Sequence, residues 1–144
     1  MKPLNFLVLL ISIFFVSPIW VSAQDKNEVV KNYIAAFNSR DVNKYLEFLD
    51  DSIVEYVFPN EILYKGKEQM RKAYTSAFNA TVLGGKIKIL CTSEIGGVYV
   101  IEQSLIGNGP DSVDQFIMFK FSENKIVEIH YLPKNFSWKN RNDR

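Results

Sequence analysis

Hydrophobic positions after residue 24 change period along the chain, recurring first every three or four residues and later every second one. Asp25 precedes a segment in which Val29, Val30, Tyr33, Ile34 and Phe37 share one helical face, and Asn38-Ser39 interrupts it. Asp41 is placed to cap a second amphipathic segment, with Val42, Tyr45, Leu46 and Leu49 on one side and Lys44 and Glu47 on the other. Asp50-Asp51-Ser52 reads as a polar turn. Residues 53–58 are β-branched or aromatic and stop at Pro59-Asn60, which predicts a strand. After a loop to Gly66, helical spacing returns through Met70, Ala73, Tyr74, Ala77 and Phe78, with Gly84-Gly85 at the exit.

The last third predicts strands near 86–95, 98–106, 112–121 and 125–131, divided by Gly96-Gly97, Gly107-Asn108-Gly109-Pro110 and Glu123-Asn124. Turns this short make neighbouring strands antiparallel. Three N-terminal helices packed on one face of a curved, mainly antiparallel sheet form an α+β domain, and its open end is a natural ligand pocket.

The ends of the chain carry other signals. Lys2, the apolar run 4–16, the Ser17-Pro18 break and the small residues Val21-Ser22-Ala23 predict a cleaved signal peptide over 1–23 and a mature start at Gln24. The alternative is an uncleaved anchor, because residues 6–23 approach the roughly 18 apolar residues that begin to suggest a spanning helix. Ser12, Ser17 and Pro18 weigh against it. A secreted or periplasmic protein is therefore expected, free of the membrane after cleavage. Residues 24–133 form one domain and 134–144 a polar, basic tail.

Loss of residues 1–23 removes Lys2 and no acid, leaving 16 basic and 16 acidic residues interspersed along the domain. That balance argues against a nucleic-acid partner. With Cys91 as the single cysteine, no internal disulfide forms, and a 47% apolar composition must supply the core. Cys91 sits in a strand-like run with no nearby cysteine or histidine, which predicts a buried structural thiol; neither metal nor cofactor is expected. Asn79-Ala80-Thr81 and Asn135-Phe136-Ser137 satisfy the glycosylation rule, which matters only in a glycosylating host.

The run Val30-Lys-Asn-Tyr33-Ile-Ala-Ala-Phe-Asn-Ser-Arg-Asp41, followed by Leu49-Asp-Asp-Ser-Ile-Val-Glu55-Tyr and Gly66-Lys-Glu-Gln-Met70, resembles the SnoaL-like and ketosteroid isomerase group of the nuclear transport factor 2-like superfamily. With the terminal strands the resemblance covers nearly all of 25–133, and it implies a cone-shaped domain whose one pocket serves many functions. In the isomerases an aspartate base moves a proton while a tyrosine and a protonated aspartic acid stabilise the enolate oxygen. Tyr33 matches that tyrosine. The resemblance aligns Tyr56 with the base and Ile117 with the second oxyanion donor, so steroid isomerisation by that route is not expected.

Parity along the strands supplies the remaining site residues. Val54, Tyr56 and Phe58 make the more apolar face of their strand and are expected inward; a one-residue slip would instead bring in Glu55 as a reserve base. Later strands are expected to point Tyr99, Ile101, Gln103 and Leu105, then Gln115, Ile117, Phe119 and Phe121, then Val127, Ile129 and Tyr131 into the core. His130, the one histidine, falls on the outer face with Glu102, Asp114, Lys120 and Glu128. Gln103 and Gln115 can orient a ligand but cannot act as ordinary bases, and the alternative is two amides satisfied by backbone or water. Asp50-Asp51 suits turn acceptors better than a catalytic pair. Tyr33, Tyr56, Tyr74, Phe37, Phe58 and Phe78 could line an aromatic cavity or fill a core.

Three functions remain open. One is a binding domain for a small apolar or carbonyl-containing molecule, lined by Tyr33, Phe37, Tyr56, Phe58, Tyr74, Phe78, Gln103, Gln115 and Ile117. Another is an isomerase-like or polyketide-cyclase-like enzyme in which Tyr33 polarises a carbonyl and Glu55, or water held by the two glutamines, moves a proton. The third is a homodimeric interaction domain using the outer sheet face.

Overall fold

A computed structural model describes residues 25–80, 85–107 and 112–134. The predicted signal peptide, Thr81 of one glycosylation site, the whole of the other, and the tail beyond Lys134 lie outside the described residues.

Helix α1 (Lys26–Ser39) starts where the Asp25 carboxylate accepts the Asn27 N–H, and ends at Arg40 in the left-handed conformation. It buries Val29, Val30, Tyr33, Ile34 and Ala36. Helix α2 (Val42–Glu47) follows at once, with Asp41 accepting the Lys44 N–H and Tyr45 and Leu46 buried. Both aspartate caps satisfy donors that the first helical turn leaves open.

Strand β1 (Leu49–Val57) begins earlier than its apolar run suggests. Its pairing is irregular between Leu49 and Val54, and there the Asp50 carboxylate accepts both the N–H and the hydroxyl of Ser52. The predicted polar turn is thus a turn-like kink inside a strand. The segment expected as a loop forms strand β2 (Glu61–Lys65), antiparallel to β1. Gly66, at φ 85°, then turns the chain into helix α3 (Lys67–Asn79), a conformation that an L side chain would strain.

Strands β3 (Lys86–Ile95), β4 (Val98–Ile106), β5 (Ser112–Ser122) and β6 (Lys125–Pro133) form the predicted antiparallel series. The six strands make one sheet in the order β2-β1-β6-β5-β4-β3, with β1 and β6 parallel. The fold is α+β as expected, an open curved sheet, and the described helices precede its last four strands in the chain.

The core lies between helices and sheet, where Tyr45, Leu49, Ile53, Met70, Ile101, Phe119, Ile126 and Ile129 are closed to solvent. Asn38 ties the end of α1 to the edge strand β3: its Oδ1 accepts the Ile87 N–H at 2.7 Å and its Nδ2 donates to the Ile87 carbonyl at 2.8 Å. Expected parity holds on β4 and β5. On β6 it fails at one position, because an irregularity between Lys120 and Phe121 pairs Phe121 with Ile126 and turns Ile126, not Val127, into the core. Cys91 is exposed, contrary to the buried thiol expected, since a bulge between Ile89 and Cys91 sets it opposite Glu102 on the outer face.

Candidate functional site

Between α1, α3 and the concave side of the sheet lies a cavity of about 280 Å³. Helix α1 contributes Tyr33 and Phe37; α3 contributes Ala73, Tyr74 and Ala77. The alanines of the α3 stripe leave room that larger side chains would fill, so part of that stripe is a cavity wall rather than core. From the sheet come Glu55, Leu63, Tyr64, Ile87, Gln103, Leu105, Gln115, Ile117 and Tyr131.

Glu55, not Tyr56, faces inward. It stands opposite Ile129 on β6 and shares its face with Ile53, both fully buried, while Glu55 itself is 1% exposed. Tyr56 pairs with His130 on the outer face, where the two rings stack at 4.5 Å. The more apolar parity loses because each side has a compensation: His130 covers the Tyr56 ring, and Tyr74 donates its hydroxyl to Glu55 Oε1 at 2.7 Å. Two other expected lining residues are elsewhere. Phe58, on the parity of Tyr56 and just past the end of β1, is not part of the wall, and Phe78 is core, set edge-on to Phe37, Tyr45 and Tyr74. Tyr33, Phe37, Tyr74, Gln103, Gln115 and Ile117 all reach the cavity.

The polar atoms of the wall are few. Among the described residues, Glu55 Oε2 and Gln103 Oε1 are buried with no hydrogen-bond partner. Burial pushes the Glu55 carboxyl above the ordinary glutamate range, while the Tyr131 and Tyr74 hydroxyls pull it the other way. Burial first, and the Glu55 charge second, hold the Tyr33, Tyr74 and Tyr131 hydroxyls well above the usual phenol range. They stay neutral donors. The Tyr33 and Tyr45 hydroxyls lie 2.6 Å apart, their rings tilted at 4.6 Å between centroids, and Tyr45 sits against Tyr74 at the same spacing. Helix hydroxyls and a strand carboxylate thus converge on one buried patch.

Tyr45, Tyr64 and Tyr131 were not among the sequence-derived site residues. Tyr131 carried a usable signal, its inward parity on the last strand. Tyr64 lies in a stretch of five residues, Glu61–Lys65, too short and without the alternation that marks a strand, and Tyr45 is one more residue of an apolar helix face. Among the described residues, no three or more histidine, cysteine, aspartate or glutamate side chains gather in a way that would hold a metal ion. No described helix is long and apolar enough to cross a membrane.

No protein-family model and no curated protein sequence matches the chain. Solved structures do. An NTF2-like protein of unknown function from Cytophaga hutchinsonii superposes with a TM-score of 0.63 at 14% identity, over 76% of this chain and 90% of that one. The fold is the NTF2-like fold. A ketosteroid isomerase-like protein from Catenulispora acidiphila, in complex with trimethylamine, shares this NTF2-like architecture at a TM-score of 0.60 and 15% identity, over 72% of this chain and 83% of its own. The epoxide hydrolase/cyclase-like enzyme SalBIII, connected with pyran ring formation in salinomycin, gives 0.65 at 16% identity, over 79% and 94%. Identities this low carry the NTF2-like fold alone, and the cavity must be argued from its own residues.

Proposed function

We propose that the protein binds a small, mostly apolar organic molecule in the cavity, oriented by Glu55, Gln103 and Gln115. One observation carries this reading: an aromatic and aliphatic wall holds two buried acceptors, Glu55 Oε2 and Gln103 Oε1, that no group among the described residues satisfies. An unpaired buried acceptor costs about 1–3 kcal/mol, a cost that a bound donor would remove. Neighbours of the same fold that hold trimethylamine or carry a cyclase-like description support a small organic ligand. Native mass spectrometry of the protein from its own host, followed by denaturation and weighing of what is released, tests it. A released organic compound is the expected result. Protein that is empty and that also leaves its cavity resonances unmoved by apolar and carbonyl compounds would sink the reading.

A second reading, proton transfer on a carbonyl compound, is favoured by one specific observation. Glu55 is a buried carboxyl with one oxygen fixed by Tyr74 and the other free, and burial raises its proton affinity toward the range useful to a general base. If Tyr45 donates to Tyr33, the Tyr33 proton is left for a substrate oxygen. Glu55→Gln would then abolish turnover and Tyr33→Phe would lower it in a folded protein; turnover unaffected by both would exclude this reading. Export directed by residues 1–23, and pairing of two copies through the outer sheet face, belong to the same proposal.

A further inference from the structure

Among the described residues, the cavity wall contains a carboxylate and no basic side chain. Elsewhere among the described residues, the chain matches acids with cations at its surface: Lys26 with Glu94, Lys67 with Asp51, Arg71 with Glu68, Lys120 with Glu128 and Lys134 with Glu102. Glu55, the acid with the most need of a cation, has the Tyr74 hydroxyl on Oε1 and the neutral Tyr131 hydroxyl beside it, and among the described residues Oε2 has no hydrogen bond. Buried charges are ordinarily paired, because desolvation without compensation is expensive. The surroundings are also those that favour an organic cation over a metal ion. Five aromatic residues, Tyr33, Phe37, Tyr64, Tyr74 and Tyr131, line the same cavity, and ring faces attract ammonium groups, more strongly once water is removed.

We propose that the ligand is a small organic ammonium whose N–H meets Glu55 Oε2 among the tyrosine rings, with a second donor directed at Gln103 Oε1. This rests on the small-ligand reading of the cavity and adds the ligand's charge and polarity pattern. Gln103 lies three strands from Glu55 in the sheet, β6 and β5 intervening, so the second donor belongs at a distance from the ammonium. The size follows from the volume: about 280 Å³ is near twice the roughly 150 Å³ of a dry cavity that takes benzene, which suits a compound of one or two rings.

Calorimetric and amide-resonance titrations with 2-phenylethylamine and its neutral counterpart 2-phenylethanol test the charge. The groups facing Glu55 are the hydroxyls of Tyr74 on α3, Tyr33 on α1, Tyr45 on α2 and Tyr131 on β6; all are held neutral by burial, so Glu55 is the group among them that ionises as pH rises above the ordinary glutamate range. The amine keeps its proton across that range, since an alkylamine titrates near lysine's value of about 10.4. Its affinity should therefore rise with pH as Glu55 ionises and then level off, while that of the alcohol does not rise.

At the plateau the amine is expected to bind about tenfold or more tighter than the alcohol, and Glu55→Gln to erase the difference. Tyr64→Leu, at a half-buried wall position where leucine keeps an apolar side chain, should weaken the amine more than the alcohol. Alcohol binding as tight as amine binding, or an amine affinity indifferent to pH and to both substitutions, overturns the ammonium assignment and leaves the pocket standing. Failure of both compounds to move any cavity resonance at millimolar concentration overturns the pocket reading and this inference with it.

Discussion

Tyr74 on helix α3 donates its hydroxyl to Oε1 of Glu55 on strand β1, at 2.7 Å, and leaves Oε2 without a partner. The contact fixes the carboxylate's orientation without satisfying it. A helix whose alanines open a cavity thereby also presents, through its tyrosine, the carboxyl group of that cavity in a defined pose.

Glu55→Gln should change the pH dependence of stability. Burial raises the folded-state proton affinity of Glu55 above its ordinary value of 4.5, so the native protein holds this proton more tightly than the unfolded chain does. Native stability contributed by this site is therefore lost as pH rises from the unfolded value through the raised folded one, and is level beyond. The variant lacks that loss. Urea unfolding across pH should show the two proteins alike in acid and the variant gaining on the parent toward neutral pH; parallel curves would mean that Glu55 is not destabilised by its site.

Tyr33→Phe removes one partner of the 2.6 Å hydroxyl pair with Tyr45, which is wholly buried. A loss of about 1 kcal/mol is expected, with the fold kept, because the ring and its edge contact to Phe119 remain. Equilibrium denaturation measures it.

Asn38→Ala deletes two hydrogen bonds to the backbone of Ile87 and leaves both backbone groups open at a sheet edge. The expected cost is about 2 kcal/mol. Hydrogen exchange should locate it, with amides of β3 released while those of β1 and β6 keep their protection; uniform loosening of the sheet would contradict the local role.

Gln103→Leu replaces an amide bearing an unpartnered buried oxygen with an apolar group of similar size. The ligand-free protein should be as stable as its parent or more stable by up to about 2 kcal/mol, the usual cost of an unmade buried hydrogen bond. A clear loss of stability would show that Gln103 supports the fold rather than the cavity.

Much of this architecture is legible without coordinates. Asp25 and Asp41 announce the helix starts because a short oxygen-bearing side chain satisfies the first-turn donors locally. Gly96-Gly97 and Glu123-Asn124 announce the tight turns, and the alternation on β4 and β5 assigns Gln103, Gln115 and Ile117 to the concave face. Strand β2 is hidden because five residues at an edge, mostly exposed, need bury little and so need no alternation of apolar and polar positions.

What the sequence determined by itself is everything set by neighbours in the chain: element order, caps, turns, and the faces of regularly paired strands. The choice between Glu55 and Tyr56 was not of that kind. Each parity of β1 is locally acceptable, and the decision came from distant groups, His130 stacking on Tyr56 outside and Tyr74 reaching Glu55 inside. The same holds for Ile126 and Cys91, each turned over by a pairing irregularity that leaves no mark in hydrophobic period. Local physics fixes where strands run; only assembled strands and helices decide which buried oxygen is left waiting for a partner.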